Sequence, residues 1–308
     1  MPRINCLGVL VVDALSGPLE HYPVPRQRPQ VVTKSVRFAA GGGAANTAGA
    51  LAKLGMSVGV FSKVGDDPHG AFLRSELVRT GVDTRGIRVA AGESTPFTFV
   101  GIHPDGDRTF IHTPGANLTF GPSDLDLEEL FAADILLYQD CWVLPRLDGE
   151  PGARLLAEAR GRGLKTALDE CWGLGPRRDV LETMLPHCTC FLPSRDDLRS
   201  IYPDWPPERL AAHFLLLGVE SVVLKMGSAG CFVARGAERV QVPALEVRVV
   251  DTTGAGDCWD AGFLAALMHG EDIAAAAGIG NACAACCIEH IGGSAGIPDY
   301  ERVCRRVR

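Results

Sequence analysis

Lysine is scarce in this chain of 308 residues. Of its 30 basic side chains only five are lysines, at positions 34, 53, 63, 165 and 225. None follows a glycine, so the Gly-Lys step of a Walker A phosphate loop does not occur. There is no His-Glu-x-x-His motif, which removes the usual zinc-hydrolase reading. Basic charge is also outweighed by acidic charge: 37 Asp and Glu give a net charge of −7. With Arg305-Arg306-Val307-Arg308 as the one dense basic run, a nucleic-acid footprint is excluded. An anionic ligand must therefore be held by local groups. No apolar run approaches the ~18 residues that a membrane span requires. The first one, Leu7–Val12, is too short for a leader and meets Asp13 at once. Eleven cysteines are scattered rather than paired, several inside apparent helices and strands (Cys231, Cys283, Cys286, Cys287). They read as reduced, buried thiols of a cytoplasmic protein.

What the chain does contain is a regular alternation of apolar runs and helical segments, the pattern of a mainly parallel sheet with helices on both faces. Strands are expected over 6–12, 57–62, 135–139, 165–169, 190–193, 221–225, 231–234, 239–242 and 245–250. Helices are expected over 44–54, 70–80, 125–131, 153–162, 196–202, 207–217, 255–269 and 272–289. Two segments interrupt the alternation. Residues 18–38 are polar and Pro-rich, and the runs 95–100 and 108–112 flank the hairpin signal His103-Pro-Asp-Gly-Asp107. We read one domain over 1–308, with a small β lid formed by about 14–38 and 94–115.

The stretch Asp251-Thr-Thr-Gly-Ala-Gly-Asp257 carries the most chemistry. An expected strand runs into glycines and then into a small-residue helix. A glycine turn at a helix N-terminus offers free N–H groups and a positive dipole end to an anion. Asp257 adds a carboxylate there, either as a helix N-cap or as a base beside a phosphoryl group. Gly41-Gly-Gly-Ala-Ala-Asn46 opens another helix. Its glycines allow close approach to the backbone, and the Asn46 amide suits a sugar hydroxyl. Asp13 is expected at the C-terminal end of the first strand, where α/β sheets collect ligands. Lys225-Met-Gly-Ser-Ala-Gly230 follows another strand and reads as a nucleotide turn, a tight hairpin, or both. Gly292-Gly-Ser-Ala-Gly296 matches G-x-S-x-G but lacks the strand and helix of a nucleophile elbow. The spacing Cys283-Ala-Ala-Cys286 lies in an alanine-rich helix and reads as core packing. No G-x-G-x-x-G follows the first strand, which disfavours a dinucleotide-dependent oxidoreductase.

These motifs together resemble the ribokinase-like (PfkB) carbohydrate kinase family over nearly the whole length. The resemblance also covers Val64-Gly-Asp-Asp-Pro-His-Gly70, Gly81-Val82, Gly106-Asp-Arg-Thr109 and Gly115-Ala-Asn117. It implies a three-layer α/β/α fold and transfer of the ATP γ-phosphate to a sugar hydroxyl. Asp257 is then the base, and the backbone of Gly254, Ala255, Gly256 and Asp257 the anion hole. Asp13, Gly42, Gly43 and Asn46 match sugar-binding positions; Ser194, Lys225, Gly227, Gly230 and Asn281 match ATP positions. The family's N-x-x-E motif is replaced by Ser194-Arg-Asp-Asp197, with Asp197 keeping the carboxylate that organises magnesium through water. Asp251 and the carbonyl of Thr253 match a monovalent-cation (potassium) site, although Gly296 stands where some members supply a side-chain oxygen. The acceptor expected is a free sugar or polyol, with a nucleoside as alternative. Sugar phosphates are disfavoured because the lid and the Gly41–Asn46 region offer few basic residues to hold a second phosphate, Arg37 and Arg108 being the ones singled out. A catalytically silent binding member is the other alternative, opposed by the intact Asp257 signature. Pairing of lid edges is expected to give a homodimer.

Overall fold

A computed structural model describes residues 3–27, 29–104, 108–171 and 175–307. In chain order the strands are β1 (Arg3–Leu7), β2 (Val11–Gly17), β3 (Ser35–Gly41), β4 (Ser57–Gly65), β5 (Ile87–Ala90), β6 (Phe97–Ile102) and β7 (Arg108–Thr113). They continue with β8 (Ile135–Cys141), β9 (Lys165–Glu170), β10 (Cys190–Phe191), β11 (Ser221–Lys225), β12 (Cys231–Arg235) and β13 (Glu238–Val242). The helices are α1 (Gly43–Lys53), α2 (Pro68–Arg79), α3 (Leu127–Leu130), α4 (Glu150–Gly161) and α5 (Arg178–Met184). After these come α6 (Arg195–Leu198), α7 (Pro207–Leu216), α8 (Ala255–Met268), α9 (Ile273–Ile288) and α10 (Tyr300–Arg305).

Nine strands form the main sheet in the order β13-β12-β11-β10-β9-β8-β1-β4-β5. The β11–β12 and β12–β13 pairs are antiparallel and the other pairs parallel. Both faces are covered, which is why the central strands read as unbroken apolar runs. Ile135 and Leu137 of β8 point to a core shared with α1, α2, α8 and α9, whereas Leu136 and Tyr138 point to one shared with α4, α5 and α7. Helices α8 and α9 approach closely because a methyl on Gly262 would meet Cys283 Cβ at 2.6 Å and one on Gly280 would meet the Trp259 ring at 2.7 Å. The cysteines of α9 are accordingly packing residues, and none of the eleven is in a disulfide. A second sheet, ordered β3-β2-β6-β7, stands apart. Its β2–β6 pair is parallel, and the other two pairs are antiparallel.

Several expectations are corrected. The run 6–12 is not one strand: β1 ends at Leu7, and the chain leaves for the second sheet at Val11. The break follows from Asp140, whose Oδ2 accepts the Val9 N–H at 2.8 Å and lies where a side chain on Gly8 would stand. Asp13 thus belongs to the second sheet and does not end a strand of the first. The run 245–250 is not a buried strand either; it has no ladder, and Val249 and Val250 are exposed. Its apolar residues resemble a strand in composition alone. Lastly, the helices expected over 125–131 and 196–202 shrink to the single turns α3, capped by Asp126, and α6. Strand β5 and helices α5 and α10 are short and have no counterpart among the expected elements, and β3, seven residues long, is mostly exposed and begins within the polar segment 18–38. The centre of the hairpin turn expected at 103–107 lies outside the described residues.

Candidate active site

The parallel strands end on one side of the sheet, where Lys225, the last residue of β11, reaches Asp260 and the first turn of α8. Gly254 caps that helix in the left-handed region (φ 72°, ψ 12°). A methyl there would come within 3.0 Å of Gly293 Cα and 3.2 Å of Asn46 Nδ2, so glycine is required by both conformation and space. Asp257 is the third residue of the helix, and Gly254, not Asp257, is its N-cap. Its Oδ2 accepts a 2.8 Å hydrogen bond from Asn46 Nδ2. Thr47 Oγ1 donates to the Asp257 carbonyl at 3.1 Å and accepts from Gln139 Nε2 at 2.7 Å. The first turn of α1 and the end of β8 together fix the acid. Burial pushes the Asp257 carboxyl up to about 6 and the Asp169 charge adds to this, while the Asn46 bond and Lys225 oppose it. The Ala255 N–H bonds back to Thr252 O at 3.2 Å. The N–H groups of Gly256 and Asp257, in the turn where a helix has no internal acceptor, are those left to face an anion.

Two carboxylates and a backbone carbonyl explain the three glycines 41–43. A methyl on Gly41 would meet Asp13 Oδ2 at 2.0 Å, one on Gly42 the Val9 carbonyl at 2.4 Å, and one on Gly43 the Asp140 carboxylate at 2.6 Å. Asp13 lies opposite Ala39 and Thr98 in the second sheet, in one row with His112. Burial raises its carboxyl to about 6 against the Thr98 hydrogen bond and the Arg108 charge. Asp140 was missed by sequence reasoning. It follows the core of β8 at a φ of 60°, unusual for a non-glycine residue and common at functional sites. Its carboxylate binds the Val9 N–H at 2.8 Å and the Gly43 N–H at 3.3 Å. Burial, followed by the Asp257 charge, pushes it up to about 8.

Lys225 ends β11 beneath the α8 turn, with Nζ 3.6 Å from the place of a Cβ on Gly256. It bonds Asp169 Oδ1 at 2.9 Å and Asp260 Oδ1 at 3.0 Å. These acids hold its ammonium well above the usual lysine range although burial opposes them. Gly227 and Gly230 flank a single helical turn within the β11–β12 hairpin, so Lys225–Gly230 is a tight hairpin. A methyl on Gly230 would fall 2.0 Å from Val242 O. Asn281 has its amide committed inside the protein: Nδ2 donates to Val242 O and Pro243 O, and Oδ1 accepts from Trp259 Nε1 at 2.8 Å. It can affect a ligand only through the 242–243 backbone. The Ser194 N–H donates to Glu170 Oε1 at 2.8 Å. The other oxygen of Glu170 is buried and has no partner among the described residues. Asp197, in the first turn of α6, is raised by burial and by Asp169. Asp169, Glu170 and Asp260 were likewise missed, although Asp169 and Glu170 stand at a strand end where an acid is a usable signal.

Asp251 is 4% exposed. Its Oδ1 accepts from the Thr253 N–H at 2.7 Å and its Oδ2 from the Gly292 N–H at 2.9 Å. The guanidinium of Arg108, from β7, contacts both Asp251 Oδ1 and Thr253 Oγ1. The Thr253 carbonyl accepts from Cys287 Sγ at 3.3 Å.

A buried carboxylate at a glycine-rich helix start, beside the carboxyl ends of a parallel sheet, defines a site for moving an anionic group onto a hydroxyl. The profile of the pfkB family carbohydrate kinases matches residues 1–300, and the chain belongs to that family. An uncharacterized sugar kinase of Archaeoglobus fulgidus is 32% identical over 252 residues, covering 80% of this chain and 98% of that protein. The ATP-dependent ribose-1-phosphate kinase of Halopiger xanaduensis is 29% identical over 85% of this chain and 84% of its own length. Among solved structures, Arabidopsis thaliana ribokinase complexed with ribose and ATP superposes with a TM-score of 0.85 at 26% identity, covering 100% of this chain and 99% of that one. The fold is ribokinase-like, and the activity is phosphate transfer from ATP to a sugar.

Proposed function

We propose that Asp257 takes the proton of a sugar hydroxyl as that oxygen attacks the γ-phosphorus of ATP and ADP leaves. The observation that carries this reading is the 2.8 Å bond that aims the Asp257 carboxylate past Asn46, within the turn whose N–H groups face an anion. Gly254, Ala255, Gly256 and Asp257 shape the anion hole, in which one preorganised donor is typically worth about 2.7–4 kcal/mol of barrier. Positioning and charge do most of the work in phosphoryl transfer. Asp13, Asn46 and the Gly42-Gly43 backbone bind the sugar, with strands β2, β3, β6 and β7 as a lid over a single-domain body. Lys225, held between Asp169 and Asp260, supports the first turn of α8 beneath the ATP phosphates, and the Gly227–Gly230 turn and the 242–243 backbone held by Asn281 border the nucleotide.

Among the described residues no cluster of three or more acids, histidines or cysteines is arranged to hold a metal ion alone. That suits magnesium carried in on the phosphates, which keeps several of its waters. Asp197 and the orphaned oxygen of Glu170, next to Ser194, fit that water shell. The ion supplies neutralisation of the phosphate charge.

A free sugar is favoured over a sugar phosphate because Arg108 is committed to Asp251 and Arg37 is exposed. The edge strands β3 and β7, with exposed Val36, Phe38 and Ile111, support a lid-to-lid homodimer. Eleven free cysteines support a reducing, cytoplasmic setting. An ADP-release screen over sugars, polyols, nucleosides and ribose 1-phosphate tests the proposal. Turnover on a free sugar is expected; turnover confined to ribose 1-phosphate overturns the choice of acceptor. Light scattering that gives a monomer mass overturns the dimer.

A further inference from the structure

We infer that Arg108 is a built-in cation for Asp251, so that this kinase works without a monovalent metal ion and its anion-hole turn is completed by the lid. The inference rests on the proposed phosphate transfer for its role, but its cation chemistry stands alone. Asp251 begins the turn that ends in Asp257. A potassium ion there would need the Asp251 carboxylate and neighbouring carbonyls as ligands. The two carboxylate oxygens are engaged within the chain. Asp251 Oδ1 is held by the Arg108 guanidinium and the Thr253 N–H, and Oδ2 by the Gly292 N–H. Thr253 O and Gly293 O face the Cys287 thiol, whose sulfur lies 3.3 and 3.0 Å from them. With Arg108 seated on it, Asp251 has no carboxylate oxygen left for a monovalent cation, so the residues as they stand do not fit one. They fit a guanidinium, a weakly hydrated planar donor that matches carboxylates better than an ammonium does.

The effect on Asp251 is what a bound cation would achieve. Burial acts to raise its carboxyl, yet hydrogen bonds from Arg108, Thr253 and Gly292 hold it below the ordinary range. Unlike a diffusible ion, Arg108 comes from β7, in the sheet that also carries Asp13. The pairing runs from Arg108 to Ile102 and through β6 to β2. A sugar held at Asp13 steadies the sheet that delivers the guanidinium to the turn. Arg108 is a positioning residue: it sets Asp251 and Thr253, and through them the donors that follow.

The experiment compares wild type, Arg108→Ala and Arg108→Gln in KCl and in tetramethylammonium chloride at equal ionic strength, with circular dichroism to confirm folding. Wild type is expected to change less than twofold in kcat/KM and less than about 1 °C in Tm between the two salts. The variants are expected to lose about 10²-fold in kcat in tetramethylammonium, a loss of oriented anion-hole donors, with a smaller change in the KM for sugar. They are expected to regain tenfold or more with KCl or millimolar guanidinium, and their Tm to rise with KCl. A tenfold activation of wild type by potassium overturns the inference. So does a folded variant that neither cation rescues, or one that needs no rescue. The Tm comparison uses no substrate, so it decides the cation question even if the acceptor assigned above proves wrong.

Discussion

The amide of Asn46 and the carboxylate of Asp257, 211 residues apart in the chain, are joined by a 2.8 Å hydrogen bond. It links the helix that opens on Gly41-Gly42-Gly43 to the helix that opens on Gly254-Ala255-Gly256. In the proposed site the sugar side and the phosphate side thus share one acid.

Asp257→Asn keeps an oxygen for Asn46 but removes the base. We expect kcat to fall by about 10²–10⁴-fold. The same variant should be more stable at neutral pH. Burial raises the folded carboxyl to about 6, from an ordinary value of 3.8. The folded state therefore keeps a proton that the unfolded chain releases, and wild-type stability declines as pH rises from about 4 through 6. At pH 7.5 the Asn variant should be more stable by about 1–3 kcal/mol, with the gap closing below pH 4. Thermal melts at the two pH values check the sign.

The pH profile of kcat/KM should show an acid limb near 6. Burial raises both Asp257 and Asp13 to about 6, and the proposed mechanism uses both in the ionised form. The limb should therefore fall with a logarithmic slope between one and two. Asp13→Asn should reduce it to one. Asn46→Ala, which removes a hydrogen bond to the charged form, should move the limb to higher pH.

Lys225→Met leaves Asp169 and Asp260 buried without their cation. A loss of about 3–5 kcal/mol in stability is expected, read by denaturant unfolding. Asp260→Asn in the same chain should restore part of it, because one of the two stranded charges is gone. The KM for ATP should stay raised in both.

Gly43→Ala drives a methyl onto the Asp140 carboxylate, at 2.6 Å. Overpacking of this kind costs about 1–3 kcal/mol. The displaced groups, Val9 and the Gly42-Gly43 backbone, lie on the sugar side. Steady-state kinetics should show a raised KM for sugar with the KM for ATP little changed.

The sequence by itself determined the layered α/β fold, since buried parallel strands must be continuously apolar and their helices amphipathic. It also determined the two glycine-rich turns, because close backbone approach leaves a local signature, and Asp257 within one of them. It misread 6–12 and 245–250, where apolar content was taken for one element although a long-range contact sets the path. The break after β1 depends on Asp140, which is 131 residues from Val9. The pairing of Lys225 with Asp169 and Asp260, the αL backbone of Asp140 and the contact of Arg108 with Asp251 were decided by the tertiary structure alone. Hydrophobic periodicity reports a residue's own strand or helix, whereas a buried charge finds its partner only when distant strand ends are brought to one edge of the sheet. The resemblance offers Asp251 as a cation ligand, and only the fold shows that the Arg108 guanidinium is seated against it.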